Sequence, residues 1–467
     1  MDKFNDIVDK VDSFVWGPWL LIPLLFATGF VLTIRLRGVQ FTKLGPALRL
    51  GLLHRQDAGA EGDISHYQAL TTALAATVGV GNIVGVATAI GMGGPGALFW
   101  MWVTGLFGMA SKYSEAFLGS YYRKTDARGE QFGGPQVYLE KAIKGIGGKI
   151  LAISFAIFGA LAAFGIGNMT QVNAVVTNVH NAFKISNDTS WRLVTGIVVM
   201  VLVGLVLLGG IKRIGVVTAG FVPLMILVYL VAGTIILAMN ASHIPGAFGR
   251  VFSDAFTGTA ATGGFIGSTI ALAIRYGMAR GIFSNESGMG SAAIVAAAAK
   301  TTHPVRQGLV SMTQTFIDTI IVVTFTGLVI ISTGSWEGNI ESKGTLTSEA
   351  FASTIGSTAG PVIVAICVAF FAFSTILGWS YYGERCAVRL FGIKAQFPYR
   401  LVFTLVILVG AVWELNLIWN IADILNGLMA LPNLIGLLIL SGFITRETRK
   451  YLQQDPHLSA DWKPADK

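Results

Sequence analysis

The chain has 467 residues, 53% of them hydrophobic and only 12% charged, about half the charged share of an ordinary soluble domain. That composition excludes a water-soluble globular protein and indicates an all-α polytopic membrane protein. The formal net charge of +8 comes with no folded basic domain, so it reports membrane topology and contact with anionic lipid, and nucleic acid is not an expected partner.

Windows of about 19 to 20 apolar residues predict eleven spans. They lie at roughly 14–34, 67–91, 97–121, 150–181, 193–210, 214–239, 264–299, 308–333, 358–383, 399–414 and 417–443, and are numbered one to eleven below. The N-terminal MDKFNDIVDKVDSF is acidic and lacks the basic start and small-residue cleavage site of a secretory signal, so span one is expected to be retained. Lys and Arg divide unevenly among the loops. Of 33, 24 fall in 35–66, 122–149, 211–213, 300–307, 384–398 with Arg400, and the tail from 444, against six in the alternate loops. The positive-inside rule then puts the N-terminus outside and the C-terminus in the cytoplasm.

Span two reads TALAATVGVGNIVGVATAI over 72–90, with Gly79, Gly81 and Gly85 at its centre beside Thr77 and Asn82. A glycine in a helix interior costs about 1 kcal/mol against alanine, and each backbone group freed in lipid costs more unless it finds a partner. The segment is therefore either packed closely through small residues or unwound to present N–H and C=O groups to a small solute and a cation. On span three, Lys112 and Glu115 have the i,i+3 spacing of a helical ion pair. Span four carries Asn168, Gln171 and Asn173 among apolar neighbours, placed to contact a polar solute or to join helices.

Span seven contains STIALAIRYGMARGIFSNESGMGSAA over 268–293. Arg275, Arg280 and Glu286 are costly in an apolar segment and point to a gate, a charge network or substrate contact. Gly277 and Gly281 predict unwinding between them, which would bring Arg280 and Glu286 together or direct them to other helices. In span nine, FFAFSTILGW at 370–379 places Ser374 and Thr375 together in mid-membrane, with Trp379 one turn beyond Thr375. Such hydroxyls either bond carbonyls of their own helix or join backbone oxygens in a hard site suited to sodium. Cys367 and Cys386 lie about 28 Å apart along this helix, too far to bridge. No P-loop, metalloprotease helix motif or nucleophile elbow is present, so no enzyme activity or cofactor is expected.

Two glycine-broken spans begin near 67 and 264, five spans apart, so they enter from opposite sides, as in inverted-repeat transporters. The expected organisation is an extra helix and loop (1–66), a first five-helix repeat (67–239), an extracellular connection (240–263), a second repeat (264–443) and a cytoplasmic tail (444–467).

These segments resemble the alanine or glycine:cation symporter family of prokaryotic amino-acid transporters along nearly the whole chain. The likeness is strongest in GMGGPGALFWMWVTGLFGMASKYSE at 91–115, TVGVGNIVG at 77–85, GIFSNESGMGSA at 281–292 and FSTILGWSYYGE at 373–384. The resemblance implies a LeuT-type five-plus-five fold preceded by one helix, in the cell inner membrane. It also implies sodium- or proton-coupled uptake of small neutral amino acids, with no obligate protein partner.

By that resemblance, Thr77, Gly79, Gly81 and Asn82 belong to the substrate-holding stretch. Ala75 and Val78 would give carbonyls to a sodium ion completed by Phe371, Ser374 and Thr375. Thr375 and Trp379 match substrate-pocket positions. Gln171 would meet substrate from span four, and Ile274, Gly277 and Met278 would form the wall from span seven. Some proton-coupled relatives of this fold carry a lysine in span six; 214–239 has no Lys, Arg, Asp, Glu or His, which favours sodium and leaves Glu286 as the candidate proton carrier. A proton-coupled or glutamine-type symporter and a transport-like sensor or channel are the alternatives.

Overall fold

A computed structural model describes residues 2–459 except 18, 55, 56, 58, 127, 258–265, 338–342 and 414. The described chain is helical apart from short connections and one antiparallel pair, Lys124–Thr125 with Gln131–Phe132. Among the described residues, seven helices are long and apolar enough to cross a membrane, and eight when the bent pair His66–Thr77 and Gly81–Gly93 is one crossing. Expected spans one, three and seven correspond to the helices Leu21–Arg35, Gly96–Tyr121 and Ile266–Asn285. The protein is thus a multi-pass membrane protein.

Burial separates centre from periphery. In the most apolar window of Thr189–Leu207 only 17% of residues are buried, against 67% in Pro304–Ser332 and in Ala359–Phe391. Spans eight and nine therefore run through the middle of the bundle, while span five presents its side chains to lipid. Glycines set the closest crossings. A Cβ on Gly378 of span nine would stand 2.7 Å from Ala76 Cβ of span two, and one on Gly277 of span seven 2.4 Å from the Ala97 carbonyl oxygen of span three.

Several elements differ from the sequence expectation. A separate helix, Asp2–Val15, precedes span one; the loops 240–263 and 334–357, whose mixed polarity suits short surface helices, hold Ile244–Asp254 and Leu346–Ile355. Span nine extends over Ala359–Phe391 and span eleven over Leu415–Gln454, carrying both past the apolar stretch. Span seven does not unwind between Gly277 and Gly281: the helix Ile266–Asn285 is continuous there. Those glycines serve packing against span three, where Gly281 faces Thr104 Oγ1 at 2.4 Å from its would-be Cβ.

On the face expected to be cytoplasmic, one buried cluster joins distant parts of the chain. Arg306, at the start of span eight, donates to both carboxylate oxygens of Asp57 (2.8 to 3.1 Å) and to Asp455 Oδ2 (3.2 Å). His66, the first residue of the span-two helix, places Nε2 3.2 Å from Asp57 Oδ2 and Nδ1 2.6 Å from Gln307 Oε1. Burial alone would raise the Asp57 pKa, but the hydrogen bond and charge of His66 and the guanidinium of Arg306 hold it well below the usual carboxylate range.

Candidate functional site

The site begins where span two stops being a helix. A capping box at Ser65 and Gln68 starts the helix His66–Thr77, satisfying two of its orphan donors. The helix ends at Val78, and the chain resumes as a π-helical turn, Gly81–Gly85, leading into Val86–Gly93 at a bend of 50°. Between them the freed backbone groups find side-chain partners. Gly79 N–H donates to Asn82 Oδ1 (2.9 Å) and Val80 N–H to Gln171 Oε1 (3.2 Å). Gly79 is required by proximity, since a Cβ there would lie 2.2 Å from Thr375 Oγ1.

Span nine faces the first half of this break. Thr375 Oγ1 donates to the Ala75 carbonyl (3.0 Å), and Ser374 Oγ lies 2.8 Å from the Phe371 carbonyl and 3.5 Å from that of Val78. Three carbonyl and two hydroxyl oxygens thus gather from two spans, all on buried residues. Thr375 reaches across to the neighbouring helix, whereas Ser374 also bonds its own. The donor set is all oxygen and carries no formal charge, which suits a hard monovalent cation.

Span four divides by residue. Gln171 meets the break, while Asn168 donates to the Phe403 carbonyl (2.6 Å) and Asn173 to those of Gly410 and Trp413, fastening span four to span ten.

The second break lies at 286–290, beyond the expected glycine pair. Glu286 (φ 56°), Gly288 (89°) and Gly290 (82°) take left-handed conformations before a helix restarts at Ser291. Lys112 and Glu115 do not pair with each other; both serve this turn. Lys112 Nζ donates to the Glu286 carbonyl (3.0 Å), and Glu115 Oε1 accepts from Gly290 N–H (3.0 Å) and Asn433 Nδ2 (2.8 Å). Exposed backbone in the membrane interior needs such partners more than the two side chains need one another. The Glu286 carboxylate accepts from Ser291 Oγ (2.5 Å) and from Trp379 Nε1 (2.6 Å), so the indole one turn past the oxygen cluster is fixed by the second break. A Cβ on Gly167 would stand 2.1 Å from Trp379 Cβ, so only glycine lets span four lie so close to it.

Arg280 does not meet Glu286. It pairs with Asp423 of span eleven (3.0 Å) and stacks over Trp419 at 4.7 Å, while Arg275 turns to the N-terminal helix, 3.9 Å from Asp12. Ile274, Gly277 and Met278 lie two or more turns before the second break, with Gly277 against span three. The span-seven residues beside Gly81 are instead Phe283 and Ser284, at 3.1 and 3.2 Å from its would-be Cβ.

Span eight supplies the residue that the sequence reading passed over. Asp318, buried in the π-helical stretch Phe316–Val323, accepts from Asn82 Nδ2 (2.8 Å), Ser284 Oγ (3.0 Å) and Thr319 Oγ1 (2.8 Å). Gln314 of the same span donates to Thr77 Oγ1 at 2.8 Å and to the Asn285 carbonyl at 3.4 Å, joining the two breaks. The signal was available: an acidic residue inside FIDTIIVV is as costly in lipid as Glu286.

The comparisons agree with this architecture. The sodium:alanine symporter family model matches residues 1–463. The sodium/alanine symporter AgcS of Methanococcus maripaludis is 52% identical, covering 96% of this chain and 97% of its own. The probable sodium/glutamine symporter GlnT of Bacillus subtilis is 34% identical, over 96% and 91%. In structure, the chain is similar to MhsT, crystallised with L-phenylalanine, at a TM-score of 0.58 and 14% identity, over 84% of this chain and 99% of that one; the fold is the LeuT type. With its two interrupted helices and this match from end to end, the chain belongs to the sodium:alanine symporter family.

Proposed function

We propose that this protein is a sodium-coupled symporter that carries small neutral amino acids, alanine or glycine first, into the cell by alternating access. The observation that carries the reading is the five-oxygen cluster of Ala75, Val78, Phe371, Ser374 and Thr375 beside the first break. Family membership supports sodium as its occupant. Because the ligands come from spans two and nine, the ion favours arrangements that hold those spans together, and this differential affinity couples it to the solute.

The amino acid occupies the region of Thr77, Gly79, Gly81, Asn82, Gln171, Thr375 and Trp379. The Gly79 and Val80 N–H groups now donate to neutral amide oxygens; a substrate carboxylate replaces them with stronger charge-assisted bonds. Backbone carbonyls of span seven receive the ammonium, and Asp318 supplies counter-charge through Asn82. Arg275, Arg280 and Glu286 act in gating rather than as carboxylate ligands. Spans two to six and seven to eleven form the two inverted repeats, with span one as an appendage. The N-terminus lies outside and the tail in the cytoplasm, in the inner membrane of a prokaryote.

The test is uptake into proteoliposomes with an imposed sodium gradient and competing D- and L-amino acids. Sodium-driven accumulation of alanine or glycine is expected. Uptake that follows a pH gradient and ignores sodium would replace this reading with proton coupling, and binding without accumulation would make the protein a sensor or channel. Preference for glutamine is the second reading, favoured by the 34% identity to GlnT.

A further inference from the structure

The tail end of span eleven carries a basic groove that transport chemistry does not use. An open pocket of about 490 Å³ is lined by Arg35, at the end of span one, and by Gly442, Thr445, Arg446, Arg449, Lys450 and Gln453. Four of the seven lining residues are cations and none is an acid. Arg35 Nη1 donates to Ser441 Oγ (2.9 Å), Arg449 Nη2 to the Arg35 carbonyl (3.4 Å), and Arg446 Nε to Glu447 Oε1 (3.1 Å), whose side chain does not line the pocket. Like charges three and four residues apart on one helix repel, so this face of span eleven is held at a cost that an anion would remove.

The helix tells which anion. Positions 435, 439, 442, 446, 449 and 453 follow one face at alternating steps of four and three, and all six are exposed. The first two are isoleucines, 39% and 58% exposed, an apolar surface suited to acyl chains inside a bilayer. From Ile439 to Arg446 the axis advances about 10 Å. Over that rise the face passes from hydrocarbon to headgroup depth, and Gly442 at the crossing leaves the space open. A free phosphate would satisfy the cations but not this continuity with the apolar stripe.

We propose that this groove is a binding site for an anionic glycerophospholipid of the leaflet facing the tail. Its phosphodiester sits among Arg35, Arg446, Arg449 and Lys450, and its acyl chain lies along Ile439 and Ile435. The bound lipid holds the end of span one against span eleven, a helix whose Asn433 supports the second break. The proposal is independent of which solute or ion is carried.

The full-length protein in nanodiscs of phosphatidylcholine with a minor fraction of phosphatidylglycerol tests it, by native mass spectrometry of the lipids retained after extraction. Wild type should retain one phosphatidylglycerol against the excess of phosphatidylcholine. The triple variant Arg446→Gln/Arg449→Gln/Lys450→Gln should lose that preference at least roughly tenfold. A control with the same charge change elsewhere on that side, Lys124→Gln/Lys141→Gln/Lys149→Gln, should keep it. Should the triple variant be poorly folded, single Arg449→Gln provides the graded loss. Equal retention by wild type and Arg449→Gln or the triple variant overturns the assignment. So does displacement of the lipid by millimolar inorganic phosphate, which would make the groove a soluble-anion site.

Discussion

Gly79→Ala tests the contact between spans two and nine most directly. The new methyl would stand 2.2 Å from Thr375 Oγ1, where ordinary contact begins at 3.4 Å, so the hydroxyl must leave its position and its bond to the Ala75 carbonyl. Overpacking of this kind costs about 1 to 3 kcal/mol and the lost hydrogen bond about 1, giving roughly 2 to 4 kcal/mol in all. In a Thr375→Ala background the obstructing oxygen is gone, and the remaining close neighbours, Gln171 Oε1 and the Cβ of residue 375, are each at 3.2 Å. The added cost of Gly79→Ala should then fall below about 1 kcal/mol, a coupling of about 1 to 3 kcal/mol between the two sites. The assay is a double-mutant cycle on the detergent-purified protein by equilibrium denaturation, with sodium-activated uptake measured beside it. Stability should recover in the double variant while sodium activation stays weak, because both single changes damage the same oxygen cluster. Additive destabilisation, or normal sodium activation in Thr375→Ala, would refute the reasoning.

Three further outcomes follow from named contacts. Gln171→Leu removes the polar side chain that meets the first break in the substrate region and should raise the KM for the amino acid about tenfold, the equivalent of about 1.4 kcal/mol, with the sodium dependence little changed; substrate kinetics in proteoliposomes check this. Asp318→Asn keeps a carbonyl oxygen for Asn82 and a neighbour for Ser284 and Thr319, so the protein should fold while coupled uptake falls at least about tenfold; wild-type uptake would remove Asp318 from the site. Asp57→Asn leaves Arg306 buried without its main counter-ion and should destabilise the protein by about 3 kcal/mol, the lower end for a broken buried pair, because Asp455 remains. Since the folded pKa of Asp57 is depressed, its contribution is present above the unfolded value near 4 and is lost progressively as pH falls from there through the depressed folded value. Wild-type stability should therefore show an acid-dependent loss that the variant lacks, measured by denaturation between pH 3 and 7.

The sequence was legible where cost in lipid and local pattern pointed the same way. Gly79, Gly81 and Asn82 marked a real interruption, and the adjacent hydroxyls at 374 and 375 met it. The second interruption was misplaced because Gly277 and Gly281 looked like breakers, when each is small to admit span three. The turn chemistry lay a few residues on, in Ser-Asn-Glu-Ser-Gly-Met-Gly at 284–290. Lys112 and Glu115 read as a helical pair because spacing shows who can meet on one helix, not which distant backbone group needs a partner more. The π-helical stretches carry no pattern of their own; the one in span eight surrounds Asp318 and its bonds to other spans, which no single segment reveals.

The Arg306 cluster bears on how the chain is made. Its acids come from residue 57 and residue 455, so at a synthesis rate of 5 to 20 residues per second their appearance is separated by tens of seconds. Until the end of span eleven leaves the ribosome, Arg306 can hold Asp57 but lacks Asp455 and the Tyr451 hydroxyl, to which its Nη1 donates at 3.2 Å. A nascent chain halted before residue 451 would therefore carry spans one to ten, and span eleven short of its last turn, with this junction unfinished. Asp57 precedes span two and Asp455 follows span eleven, so the junction closes only once both ends of the ten-span core are in place.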